Sequence, residues 1–140
     1  SLPGYNTVSD ADVVIMRYAH VLLMIAEAEN EVNGPTEKAL KAINAVRTRS
    51  HQPAIDGTGL TQAELRERIR NEWRVETCFE GLRYFQLKRW KQLQQVVDGV
   101  VDPAYPSYIK VVKPAFEFFP LPQGEIDKAH GVLVQDPNYQ

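Results

Sequence analysis

The sequence predicts an all-α chain of helical hairpins closed by a proline-rich irregular tail with minor β content. Three observations lead there. Apolar residues recur at three- and four-residue spacings through most of residues 13 to 97. Gly/Pro punctuation divides those stretches into helix-length pieces, and five prolines crowd between Pro103 and Pro122, where the helical period stops. With 44% hydrophobic and 24% charged residues, the composition excludes a disordered chain. A net charge of −2 leaves no basic footprint for nucleic acid or for an anionic lipid surface.

Residues 1 to 12 read as a polar lead-in containing Gly and Pro. From Val13 to about Val32, the recurrence of Val14, Tyr18, Val21, Leu22, Ile25, Ala26 and Ala28 predicts a helix with one broad buried face. Asn33-Gly34-Pro35 ends it. Gly34 suits a left-handed cap, and Pro35 is tolerated in the first turn of a following helix because the amide it lacks has no intrahelical partner there. Ala39, Leu40, Ala42, Ile43 and Val46 make that second helix amphipathic to about Arg49 or Ser50. Two helices joined by so short a turn pack antiparallel.

The unit from Val13 to Arg47 is close to the roughly 34-residue period of tetratricopeptide-like helical hairpins. One such unit cannot bury both of its faces. Residues 51 to 60 read as a loop on their Pro and Gly content. Thr61-Gln62-Ala63-Glu64 has the capping-box pattern, so a third helix is expected from Gln62 to about Glu80. Gly81 marks a break, and Leu82 to Val97 carries a fourth helical pattern, giving a second hairpin from Thr61 to about Val97. The domain reading is therefore lead-in over 1 to 12, two hairpins over 13 to 97 and irregular tail over 98 to 140. Tyr108 to Val112 and Phe116 to Phe119 are the β-prone runs of that tail and make at most a small hairpin.

The densest chemistry runs from Glu80 to Trp90, preceded by Glu72, Glu76 and Glu80 on one helical stripe and Arg66, Arg70 and Arg74 roughly opposite. Glu76 and Glu80 with Arg74, Arg83 and Arg89 form a candidate desolvated network, since guanidinium forks hold carboxylates bidentately. A pair of glycosidase acids is the competing reading. Carboxylates on one stripe approach from one side, however, whereas a glycosidase needs them flanking the bond. Structural ion pairing is favoured over a solvated face or catalysis, and no enzymatic role is expected.

Trp73, Tyr84, Phe85 and Trp90 sit at helical spacing and are expected in the core. Tyr105 and Tyr108 lie in the tail and are the surface candidates for stacking on a sugar ring. His20, His51 and His130 have no metal-ligand spacing, and neither metal nor cofactor is expected. Cys78, the only cysteine, excludes an internal disulfide and is expected as a small buried hydrophobe. No leader, lipid-attachment cysteine or bilayer-spanning run occurs in these residues, so any export signal or anchor is expected outside them.

Four blocks in order resemble a known family. Arg17-Tyr18-Ala19 with Val21-Leu22-Leu23 and Ala26-Glu27-Ala28 is similar to its "RYAEVLL..AEA" helix, and Ala39-Leu40 with Asn44-Ala45-Val46-Arg47-Thr48-Arg49 to its "AL..LN.VR.RA" helix. Glu72-Trp73-Arg74-Val75-Glu76 with Phe79-Glu80-Gly81-Leu82-Arg83-Tyr84-Phe85-Gln86-Leu87-Lys88-Arg89-Trp90 resembles "ERR.ELAFEG.RY.DL.RW". Phe119-Pro120-Leu121-Pro122-Gln123-Gly124-Glu125-Ile126 and Gln135-Asp136-Pro137-Asn138-Tyr139 together resemble its "PIP..E" and C-terminal "QNPGY" segments. The family is the SusD/RagB group of outer-membrane nutrient-binding lipoproteins.

The resemblance implies an α-α superhelix of tetratricopeptide type, of which these residues are the C-terminal portion. It also implies a surface-exposed outer-membrane lipoprotein anchored outside this chain. Such a protein captures an oligosaccharide and passes it to a SusC-type TonB-dependent transporter without catalysis. Gln86 replaces the family's Asp, Ala129-His130 its Asn-Pro, and Cys78 its small residue. The runner-up is a soluble tetratricopeptide-type scaffold that binds a protein or peptide.

Overall fold

The computed structural model describes residues 14–113, 116 and 118–139. The expected lead-in therefore lies outside the described residues. The chain divides at Thr77/Cys78 into two compact units.

The first unit holds three helices, α1 (Tyr18–Asn33), α2 (Glu37–Arg49) and α3 (Gln62–Glu76). Helix α1 packs on both others, and its small Ala19 and Ala26 permit the close approach. Leu23, Ala26, Ala39, Ile43, Val46, Leu65 and Ile69 close the core, with Trp73 against them. Burying a side chain of this kind contributes about 1.5–3 kcal/mol before the cost of ordering it.

Helix α1 corrects two expectations. It starts at Tyr18, and Val14, Ile15 and Met16 ahead of it are exposed. Its buried row is Ala19, Leu23, Ala26 and Asn30, with His20, so Tyr18, Ile25 and Ala28 face outward. The pattern misleads because the row includes two polar residues, each held by a hydrogen bond, although the buried Asn30 Oδ1 has no hydrogen-bond partner among the described residues. Asn30 Nδ2 donates to the Gln62 carbonyl at 3.0 Å, while Gln62 Nε2 donates to the Asn30 carbonyl at 2.7 Å. The Arg17 amide donates to His20 Nδ1 at 3.3 Å, which caps the helix start.

Gly34 ends α1 with φ 79°, its amide donating to the Asn30 carbonyl. Pro35 lies outside α2 rather than in its first turn. Thr36 is the cap there, because its hydroxyl accepts the Ala39 amide and proline has no such group. The loop that follows is fastened to α2. Asn44 Oδ1 accepts from the Ile55 amide at 2.7 Å and its Nδ2 donates to the Ile55 carbonyl at 3.0 Å, as a neighbouring strand would. Arg47 Nε donates to the Pro53 carbonyl at 2.9 Å. A Cβ on Gly57 would fall 2.2 Å from Leu40 Cδ1, so a side chain there would push Leu40 aside.

The Thr61/Glu64 capping box opens α3 at Gln62, as the sequence indicates. The helix stops at Glu76, not Glu80. Thr77 Oγ1 donates back to the Trp73 carbonyl at 2.6 Å, and Phe79 and Gly81 take φ of 65° and 75°, outside any helix.

The second unit holds α4 (Arg83–Arg89), α5 (Leu93–Val97), an antiparallel hairpin of β1 (Val101–Asp102) and β2 (Tyr105–Ile109), α6 (Gln123–Lys128) and a 3₁₀ turn at Pro137–Tyr139. The expected fourth helix is thus two short ones, interrupted at Lys91, where φ is 56°. The strands fall earlier than the β-prone runs. Asp102 Oδ1 accepts from the Ala104 amide at 2.8 Å, making a turn of Pro103-Ala104, and Asp98 Oδ1 accepts from the Val112 amide at 2.9 Å at the open end. Phe116, Phe118 and Phe119 lie in no strand.

The two segments of the last motif block meet in space. Gln135 Oε1 accepts from the Leu121 amide at 3.1 Å and its Nε2 donates to the Leu121 carbonyl at 2.9 Å. Tyr139 donates its hydroxyl to the Phe118 carbonyl at 2.6 Å and stacks on Phe116.

Candidate functional site

The charged cluster forms in the first unit, with partners other than those expected. Glu72 and Glu76 are one turn apart on the buried side of α3. Residues two apart on a helix lie about 200° apart, so Arg74 between them faces solvent. It donates to Asn71 of its own helix. Glu76 is reached instead from distant segments, by Arg17 Nη1 at 2.7 Å and Arg49 Nη2 at 2.5 Å, and its side chain is only 7% exposed. Arg17 Nη2 also donates to the Glu76 carbonyl at 2.9 Å. Arg47 Nη1 holds Glu72 at 2.6 Å.

Trp73 lies between these acids and is buried. Its Nε1 donates to Glu27 Oε2 at 3.0 Å, and its ring sits 5.9 Å from that of His20. Sequence reasoning missed Glu27, Arg47 and Arg49 as members of this cluster. The only signal was their presence in the blocks carrying the family resemblance. On the outer face, hydrogen bonding from Arg66 holds the Glu31 carboxyl below its ordinary pKa. The Thr61 amide does the same for Glu64.

Glu80, Gly81, Arg83, Arg89 and Trp90 belong to the second unit. Glu80, Gly81 and Arg89 are exposed, Arg83 and Trp90 half-buried. The Arg89 guanidinium lies 4.9 Å from the Trp90 ring centre. Cys78 is exposed, contrary to expectation, because α3 has already ended and its helical phase no longer applies.

Phe85 likewise departs from the core reading, being 60% exposed. Tyr84 contacts Phe85 edge-on and Phe119 at 5.9 Å, and Lys88 Nζ lies over both Tyr84 and Phe119. Tyr105 and Tyr108 stand on β2 at 69% and 64% exposure. The β1/β2 ladder is irregular between them, so strand alternation does not assign their faces. Among the described residues no cluster of three or more His, Cys, Asp or Glu has metal-binding geometry. No described helix is long and apolar enough to cross a membrane.

This architecture has counterparts. The chain is 31% identical to SusD-like protein P2 of Formosa agariphila, aligning over 94% of itself and 26% of that protein. It is 42% identical to SusD-like protein P25 of the same organism over 62% of itself and 17% of that protein. A solved SusD-like protein from Bacteroides fragilis superposes with a TM-score of 0.76 at 31% identity, covering 90% of this chain and 26% of that one. A solved surface glycan-binding protein A from Bacteroides thetaiotaomicron gives 0.69 at 30% identity, covering 88% and 24%. The chain thus spans about a quarter of the length of the first of these relatives. The likeness establishes the all-α, tetratricopeptide-like fold class with its small hairpin. Residues 4–139 match the SusD family, and with that match running nearly end to end, the chain belongs to it.

Proposed function

We propose that these residues are the C-terminal part of a cell-surface protein that binds an oligosaccharide and delivers it to a SusC-type TonB-dependent outer-membrane transporter. It performs no chemical step, and its membrane contact runs through a lipid anchor outside these residues. The family match over 4–139 carries this reading, and the likeness to a protein named for surface glycan binding supports the ligand class. The acids add chemical support. Glu72 is bound to Arg47 and Glu76 to Arg17 and Arg49, so both carboxylates are engaged as ion-pair partners within the fold. Tyr105 and Tyr108 are proposed as glycan contacts, and Arg17, Tyr18, Arg74, Glu76, Glu80, Gly81, Arg83, Arg89 and Trp90 as architecture.

The test is a glycan array with the full-length protein, followed by product analysis of each bound oligosaccharide. Binding without new reducing ends, and copurification of a transporter barrel from outer membranes, are the expected results. Glycan cleavage, or capture of no glycan at all, overturns the reading.

A further inference from the structure

A groove runs between α3 and the loop of residues 51 to 60 in the first unit. We infer that it is a binding site for an anionic sugar, one whose pyranose ring carries a carboxylate or sulfate. The inference rests on the glycan-binding reading and specifies its substrate class.

The groove has a volume of about 410 Å³ and is lined by Arg47, Ile55, Glu67, Arg68 and Asn71. Such a volume falls within the range of small-molecule sites. Its walls are fixed before any ligand arrives. Asn44 clamps Ile55 through both backbone groups, and Arg47 holds the Pro53 carbonyl. A site built this way needs no ordering of the loop on binding.

Its chemistry is donor-rich. Arg47 is anchored through Nε to Pro53 and through Nη1 to Glu72, which orients the guanidinium and leaves Nη2 without a hydrogen bond among the described residues. Asn71 Oδ1 accepts from Arg74, so the Asn71 amide offers its Nδ2. Arg68 makes no hydrogen bond or ion pair among the described residues and is exposed. The acceptor on this wall is Glu67, whose Oε1 is taken by Arg70.

Charge sums the same way. Arg47 is matched by Glu72 and Arg70 by Glu67, whereas Arg68 has no ion pair among the described residues and has Glu64, one turn away and bonded to Thr61, as a charged neighbour. The complement is one anionic oxygen group set against Arg68 and Asn71, with ring hydroxyls reaching Arg47 Nη2 and Glu67 Oε2. Ile55, which is buried, contributes only an apolar edge to the floor of the groove.

The experiment is calorimetry on the full-length protein with three probes: a galacturonate oligosaccharide, a sulfated galactan oligosaccharide and a neutral galactan oligosaccharide. One or both anionic probes should bind more tightly than the neutral one, and added salt should weaken that binding. The two anionic arms tell carboxylate from sulfate. Arg68→Ala should weaken the anionic probe about tenfold, the scale of a lost hydrogen bond to a charged group, and the neutral probe by much less. Arg68 is exposed, so this variant folds, and Arg68→Lys should recover part of the affinity.

A neutral glycan bound in preference, or anionic binding indifferent to both Arg68→Ala and Asn71→Leu, overturns the site while the glycan-binding reading stands. Failure to bind any glycan on a broad array overturns both.

Discussion

Arg17 grips Glu76 twice, through the carboxylate at 2.7 Å and through the main-chain carbonyl at 2.9 Å. The second contact matters as much as the first. Glu76 is the last residue of α3, so its carbonyl is one of the orphan acceptors at a helix C-terminus, where a cation also meets the negative end of the dipole. One side chain thus ties the start of α1 to the end of α3. Arg17→Ala should destabilise the protein by about 1–3 kcal/mol, read as a lower urea midpoint with unchanged slope. Arg17→Lys should recover less than half of that loss, since an ammonium has no planar fork with which to span two acceptors. Full recovery by lysine would show that the carbonyl contact contributes nothing.

Glu76→Gln tests the other side of the same contact. The carbonyl bond survives, whereas the two guanidinium groups lose their shared anion. Loss of stability without any change in glycan affinity is the expected outcome. Lost glycan binding at unchanged stability would move Glu76 from the architecture to the site.

Acid should weaken the start of α3. The Thr61 backbone amide and hydroxyl donate to Glu64 and hold its carboxyl below the ordinary Glu value. A carboxyl depressed in the folded state stabilises fully above its unfolded pKa, and that contribution fades as pH falls through the folded value. Proton-coupled carbon NMR should therefore give Glu64 a midpoint below that of a free Glu. Thr61→Ala should shift that midpoint upward by removing the hydroxyl donor. An unshifted Glu64 in the parent protein would contradict the capping geometry.

The start of α3 was legible from local chemistry and the buried partners were not. Thr61 and Glu64 are three residues apart, so the reciprocal box can be read from four letters. Arg17 and Glu76 are 59 residues apart, and no local pattern says which of several arginines reaches which acid. The phase of α1 was lost for a related reason. Asn30 and His20 look like surface residues until the Gln62 carbonyl and the Arg17 amide are placed beside them. The premature end of α3 depends on Thr77 bonding back to Trp73, which a threonine in a helical pattern does not announce.

The Gln135 clamp explains why an amide stands in the C-terminal block. It donates and accepts at once, as the two sides of a backbone bridge require, and a carboxylate only accepts. Gln135→Glu should be as damaging as Gln135→Ala or worse, because it keeps the acceptor for the Leu121 amide but sets a negative charge against the Leu121 carbonyl. Each should cost about 1 kcal/mol locally, read as faster amide hydrogen exchange at Leu121. Unchanged exchange in Gln135→Ala would show that the clamp is not formed in solution.

Tyr105 and Tyr108 separate binding from stability more cleanly than any other pair. Both rings are largely exposed on β2, so removing them takes little from the folded state, whereas a sugar stacked on either would lose its platform. Tyr105→Ala and Tyr108→Ala in the full-length protein should leave Tm within the small range of surface substitutions. Loss of a stacking contact should raise the glycan Kd about threefold to tenfold in at least one of them. Because the irregular ladder leaves their faces unassigned, the double variant is informative: additive losses mean that both rings touch one bound glycan independently, and a loss equal to the larger single effect means that one ring alone does. Unchanged affinity in all three variants would remove the hairpin from the binding surface and leave the groove beside Arg68 as the contact to pursue.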